Sequence, residues 1–213
     1  MPGRRRSLCA ALIALLLAAF GAAESRAVTY YWDADAASTA ATGGTGNWDM
    51  VSSLWRAGSS TGTLGMWPGA GGDNDANLGG TTGTGILTLT TGISINDITV
   101  APSSGTAYVI AGAAQTLTLN GTSQSVLDVA SSKTLTITSG LAGLNGFTKS
   151  SAGTLILDSV AGTDTLFGDI TVNGGTLQAG SATNNGASQV LRSNAGQSHQ
   201  KKRRNYGDYK MYF

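Results

Sequence analysis

The chain has 213 residues, of which 31 are glycine, 12% are charged and 41% are hydrophobic, with a net charge of +1. That length supports a real core. So large an apolar share excludes simple disorder, and the glycine content suits many short strands joined by tight turns.

Residues 1–27 read as a signal peptide. Arg4, Arg5 and Arg6 precede the apolar run Leu8 to Phe20, which is short for a membrane span, and Ser25-Arg26-Ala27 offers cleavage before Val28. Gly21-Ala22-Ala23 is the alternative cleavage site. The single cysteine, Cys9, lies inside this segment, so the mature part has neither a disulfide nor a thiol nucleophile. Export is expected, with no integral membrane span after cleavage.

Charge divides the chain into three parts. Residues 1–27 carry +3, residues 28–191 carry −7 and residues 192–213 carry +5. An acidic body is a poor partner for nucleic acid, because phosphate contacts need clustered Lys and Arg.

Residues 28–85 hold all four tryptophans, Trp32, Trp48, Trp55 and Trp67, between Gly/Thr/Ser-rich connectors. Val28–Trp32 and Ser53–Arg56 are strand candidates within it. The segment is expected to be an N-terminal aromatic cap over the open end of the following core.

From Ile86 the pattern is regular. Apolar and hydroxyl residues alternate in Ile86–Thr90, and similar runs return at 115–120, 133–138, 153–158 and 175–180. Period-two alternation marks half-buried strands, with Leu117, Leu119, Leu135 and Ile137 inward and the intervening threonines outward. The leading leucines Leu87, Leu117, Leu135, Leu155 and Leu177 recur at intervals of 30, 18, 20 and 22 residues. Secondary strands are expected at Ile93–Val100, Tyr108–Ala111, Val126–Val129 and Asp169–Val172. The apolar phase slips inside the first of these, which calls for a bend at Asn96-Asp97. Asn120-Gly121, Asn145-Gly146 and Asn173-Gly174-Gly175 are turns.

A single rung of this length buries too little to offset the ordering of its backbone, so rungs must stack. The expected fold is all-β, a right-handed parallel β-helix over 86–191 behind the cap, with an antiparallel β-sandwich as the structural rival. Residues 192–213 change composition abruptly and are expected to be a basic, disordered tail, the mark of a truncated or frame-shifted end.

The stretch 143–180 carries Phe147-Thr148-Lys149, Gly153-Thr154-Leu155-Ile156-Leu157 and Gly168-Asp169-Ile170-Thr171-Val172-Asn173-Gly174-Gly175-Thr176-Leu177 in order. It resembles the autotransporter-associated β-strand repeat, with Phe167 near the usual aromatic position. Ser151 stands where glycine is common, and there is a short insertion around Ala161–Asp164. Tyr30-Tyr31-Trp32-Asp33 looks, more loosely, like the front of large exported repeat proteins. The resemblance implies a passenger β-helix at the cell surface or outside a Gram-negative cell, with Leu155, Leu157, Ile170, Val172 and Leu177 in the repeat core. Residues 192–213 are too few for an outer-membrane barrel of eight strands and are not expected to form a sorting anchor.

The catalytic inventory is thin. His199 is the only histidine, and no GxSxG, HExxH, P-loop or GxGxxG arrangement occurs. Asp158, Asp164 and Asp169 could serve as acid and base on a polysaccharide, although turn-forming aspartates have the same spacing. Asp73-Asn74-Asp75 with Asn77 offers oxygen ligands of the kind calcium takes, but lacks a full loop pattern. No catalytic residue, metal or cofactor is therefore assigned. Lys201-Lys202-Arg203-Arg204 with Tyr206, Tyr209 and Tyr212 resembles a basic-aromatic binding tail, though a solvated terminus is the simpler reading.

The expected function is an exported, non-enzymatic, adhesin-like passenger with a surface or glycan ligand and a tendency to self-associate through solenoid ends. Two alternatives are a β-helical polysaccharide-degrading enzyme and a carbohydrate-binding module using Trp48 and Trp55. The far-ultraviolet dichroism of the processed chain should be dominated by strand; a spectrum of helix or random coil would remove the basis for this reading.

Overall fold

The computed structural model describes residues 27–69, 74–160, 163–180 and 209–211. The signal segment before residue 27, Asp73, His199 and the basic run 201–204 lie outside the described residues. Strands β1 (Val28–Trp32), β2 (Gly46–Trp48), β3 (Trp55–Ala57) and β4 (Leu64–Gly65) occupy the tryptophan-rich leader. The next coil is β5 (Asn74–Leu78), β6 (Gly85–Leu89) and β7 (Ile93–Ile95), followed by β8 (Ile98–Val100), β9 (Ala107–Ala111) and β10 (Thr116–Leu119). Then come β11 (Ser125–Val129), β12 (Thr134–Ile137) and β13 (Gly140–Gly143), and after them β14 (Phe147–Ser150), β15 (Thr154–Leu157) and β16 (Thr165–Leu166). The last described strands are β17 (Ile170–Val172), β18 (Thr176–Ala179) and β19 (Tyr209–Met211).

Every third strand stacks on its counterpart one coil away. One sheet runs β17-β14-β11-β8-β5-β1-β3-β4, a second β16-β13-β10-β7, and a third β19-β18-β15-β12-β9-β6-β2. Pairing between coils is parallel, so the chain is a β-solenoid of about 4 turns, and the antiparallel sandwich is excluded. Among the described residues, antiparallel pairing is confined to β1–β3 and β3–β4 at one end and β18–β19 at the other. Ala76 lies beside Ile98, Ile98 beside Leu127 and Leu127 beside Lys149, so successive coils take 22, 29 and 22 residues.

The strands follow from alternation. In β6, β10, β12, β15 and β18 alternate side chains, leucines and Ile137 chief among them, point in and are buried, while the residues between them, Ile86 and Ile156 included, are at least partly exposed. Like residues stack along the axis: Tyr108 on Leu135, Leu155 and Leu177, and Ile110 on Ile137, Leu157 and Ala179. Leu155 and Leu177 are fully enclosed and Leu157 nearly so; Ile170 and Val172 on the last coil are only partly covered, packing against the core edge. The expected bend at Asn96-Asp97 is present as the break between β7 and β8.

Two expectations need correction. The leucine series placed 115–120 in the same ladder as 133–138. Instead, β9 pairs with β12, and β10 belongs to the second sheet with β7 and β13. A Thr-Leu-Thr-Leu run fits any half-buried face, so composition alone did not say which. The ladders also do not begin at Ile86: β1 pairs in parallel with β5, and β2 with β6, which starts at Gly85. The leader supplies the first rung as well as the closure.

One inward position carries a charge. Lys149 sits in register between Leu127 and Val172 and is fully buried. Its ammonium turns to the corner and donates to the carbonyls of Ser150 (2.5 Å), Ser151 (2.8 Å) and Gly174 (3.3 Å). Three donors meet three acceptors, tying one coil's left-handed corner residue, Ser151 (φ 57°), to the next coil. Burial holds the Lys149 pKa below the ordinary lysine value, against the opposing pull of Asp128. Lys149→Met keeps the stem but leaves those carbonyls without their donor. It is expected to cost about 1–3 kcal/mol in urea denaturation, the range for buried groups left unsatisfied.

Candidate functional site

The aromatic leader folds into a closed cluster. Trp32, Trp48, Trp55 and Trp67 are each at most 1% exposed. Their ring centroids lie 4.8–5.1 Å apart in tilted or edge-on pairs, the geometry aromatic rings prefer. The Trp32 indole donates to the Gly44 carbonyl (2.8 Å), and that of Trp67 to the Ser94 carbonyl on β7 (3.2 Å), the first strand of the second sheet. Trp67 thereby occupies a carbonyl that a sheet edge would leave open. Gly46 provides the space for this packing, since a Cβ there would lie 3.0 Å from the Trp32 ring. Trp48 and Trp55 form the centre of this cluster and offer no ring face to a sugar.

Beside it lies a buried ion pair. Asp33 is wholly enclosed and accepts from Arg56 Nε at 2.7 Å. It also accepts from the Thr42 amide and hydroxyl and from the Ser38 hydroxyl. The Arg56 guanidinium also donates from Nη1 to the Gly62 carbonyl and from Nη2 to the Ser38 carbonyl. Burial pushes the Asp33 pKa up, but the hydrogen bonds from Thr42, Arg56 and Ser38 outweigh it and hold the carboxyl below its ordinary value. Tyr108 completes the closure: its buried hydroxyl donates to the Gly79 carbonyl (3.2 Å) and accepts from the Gly44 amide (3.3 Å). Gly43, at φ 76°, passes so close that a Cβ would collide with that hydroxyl. These are the bonds of a structural cap.

Of the carboxylates singled out for acid–base chemistry, Asp164 has a structural role. Asp164 accepts from the Leu141 amide (2.8 Å) and from the Ser159 hydroxyl, fixing a corner. Asp158 is half-buried beside it, while Asp169 is exposed, its backbone carbonyl taking the Gln124 amide (2.8 Å). Asp75 accepts from Asn96 Nδ2 (2.9 Å), and Asp97, in the break between β7 and β8, accepts from the Val126 amide (2.7 Å). Burial, with the neighbouring Asp75, holds the Asp97 pKa above its ordinary value despite the Val126 bond. Among the described residues no three His, Cys, Asp or Glu side chains converge as a metal site. Of the described cationic side chains, Arg56 and Lys149 are buried, and Lys133 holds the Gly105 carbonyl (2.7 Å).

The open surface lies at a corner of the second sheet. Leu119 pairs with Gly143 and Gly143 with Leu166, so Asn120, Leu144 and Phe167 follow one another at the same corner of three coils. Leu144 is 77% exposed and Phe167 61%, in a body whose other leucines are largely covered. They border a shallow cleft of about 320 Å³, whose lining includes Thr118, Asn120, Asn145 and Thr165. Asn145 Nδ2 donates to the Gly121 carbonyl (2.8 Å). Sequence reading did not find this site; the signal available was Phe167, in the outward phase next to inward Leu166.

The comparisons bear on this architecture. Over 184 residues, 85% of the chain, the sequence is 36% identical to the "Adhesin BmaC autotransporter" of Brucella suis biovar 1 (strain 1330). The chain is a homologue of a segment of an autotransporter adhesin. It spans about 5% of that relative's length. No family model matches the chain, and no solved structure matches it with significance. Among the described residues, no helix is long and apolar enough to cross a membrane.

The ion pair generates a pH prediction. The folded Asp33 pKa lies below the unfolded value of about 3.9. Its stabilisation is therefore complete above that value and is lost as pH falls through the folded one. Urea midpoints of the native chain should fall more steeply below about pH 4 than those of Asp33→Asn. At pH 7, Asp33→Ala should cost about 3–5 kcal/mol by leaving Arg56 buried and unpaired.

Proposed function

We propose that this chain is an adhesin-like, non-enzymatic passenger of an exported protein, a stiff rod that presents corners and sheet faces to surface ligands. What carries it is the set of parallel ladders β1-β5-β8-β11-β14-β17 and β2-β6-β9-β12-β15-β18, together with the sequence similarity to an autotransporter adhesin. Such a ladder spends its inward residues on its own core, leaving corners and outward positions free to vary. The engagement of Asp164, Arg56 and Lys149 in corners and closure supports the non-enzymatic reading, because those groups are not turned toward a common substrate. The N-terminal signal pattern supports export, and the relative supports exposure at the cell surface.

The test uses the exported chain itself. N-terminal sequencing should begin at Val28. Beads coated with the chain should attach saturably to host epithelial cells, in competition with soluble chain. A correctly folded chain that gives no attachment would count against the adhesin-like role. Release of reducing ends from polysaccharide, lost in Asp164→Asn, would replace it with an enzymatic one.

A further inference from the structure

We propose that the cleft between Leu144 and Phe167 binds a short neutral glycan segment, one or two pyranose units laid along the solenoid axis. The first observation is the pair of exposed apolar side chains on adjacent coils. Both keep most of their apolar surface in water, which is costly. The second is what surrounds them. Thr118 and Thr165 lie in one outward row with Ala142 between, in register through β10, β13 and β16. Parallel strands repeat at 4.7–4.9 Å, which puts these two hydroxyls roughly 9–10 Å apart. Neither hydroxyl, nor the Asn120 side-chain amide, makes a hydrogen bond among the described residues, and the Gly121 contact to Asn145 Nδ2 leaves that side chain's oxygen to accept.

A pyranose ring matches this arrangement. Its C–H face is apolar and its rim carries hydroxyls that both donate and accept. An exposed ring beside an aliphatic side chain suits the face; threonine hydroxyls and asparagine amides suit the rim. The cleft lining contains no charged side chain. The body around it carries a net −7 over residues 28–191, so an anionic sugar would be repelled. Neutral glycan is thus the class that both lining and field admit. The proposal deepens the adhesin-like reading and rests on it for biological use alone, since binding is measured directly.

The test titrates isotope-labelled exported chain with neutral trisaccharides (maltotriose, cellotriose, chitotriose) and, separately, with sialyllactose and a heparin oligosaccharide. Supporting results are amide shifts centred on Thr118, Asn120, Asn145, Thr165 and Phe167 with at least one neutral sugar, and weakening by about 10-fold in Phe167→Ala, an aromatic contact's worth. Phe167→Tyr should retain binding, and the exposed variant Asn120→Ala should weaken it with an unchanged dichroism spectrum, so the test survives if Phe167→Ala misfolds. The proposal is overturned by shifts elsewhere, by no shift with any neutral sugar, or by preference for the anionic ones. It is also overturned if light scattering shows an oligomer that Phe167→Ala or Leu144→Ala disperses, since the patch would then serve a second copy. Cell attachment without any sugar shift would sink this proposal and leave the adhesin-like reading standing.

Discussion

In-register parallel stacking is the constraint on which the molecule depends. Each inward side chain must fit the one a coil away, because strands closer than 5 Å leave no room for mismatch in size or polarity. The stacks of Leu135, Leu155 and Leu177, and of Ile98 and Leu127, meet that condition with aliphatic residues. Where the column changes chemistry, at Lys149, the structure supplies a full set of carbonyl partners at the corner. A half-satisfied ammonium there would unbalance the coils on both sides. Coil length, by contrast, varies from 22 to 29 residues, because extra residues leave at the corners and do not touch the columns.

That asymmetry explains what the sequence revealed. Strands whose inward residues are aliphatic and whose outward residues are threonine, such as β10 and β12, were legible from alternation alone. Strands β5 (Asn74–Leu78), β13 (Gly140–Gly143) and β14 (Phe147–Ser150) were not, since Asn-Asp-Ala-Asn-Leu, Gly-Leu-Ala-Gly and Phe-Thr-Lys-Ser carry too little apolar signal. They are strands because both neighbours template them, which is a property of the ladder and not of the segment. The assignment of β10 to the wrong column has the same origin. Tyr108–Ile110 is the true counterpart of Leu135–Ile137, and its tyrosine hydroxyl is there to reach the cap, a requirement that no local pattern announces.

The candidate site was illegible for the converse reason. Tryptophan is conspicuous in a sequence, and aromatic rings serve both cores and sugar platforms. Only the burial of Trp48 and Trp55 separates the two uses. Leu144 and Phe167 are inconspicuous among many leucines and attract notice only when the turn geometry leaves them outside. Exposure, in a solenoid, is decided by phase relative to the corner.

The closed end and the open corner impose opposite electrostatic demands. Asp33 is stabilised as an anion by Arg56 and hydroxyl donors, so it favours folding at neutral pH and withdraws that support in acid. Asp97, with a raised pKa beside Asp75, works against folding when ionised, and that penalty is relieved as pH falls toward the ordinary carboxylate range. One acidic body therefore contains a carboxylate that needs its charge and another that tolerates it. The first lies in the closure of the rod, where no ladder continues and specific bonds must replace stacking. The second lies half-buried in the break between β7 and β8, where the columns on either side supply enough stability to carry it. Stability concentrated in the columns is what leaves the outward positions of such a ladder free to vary.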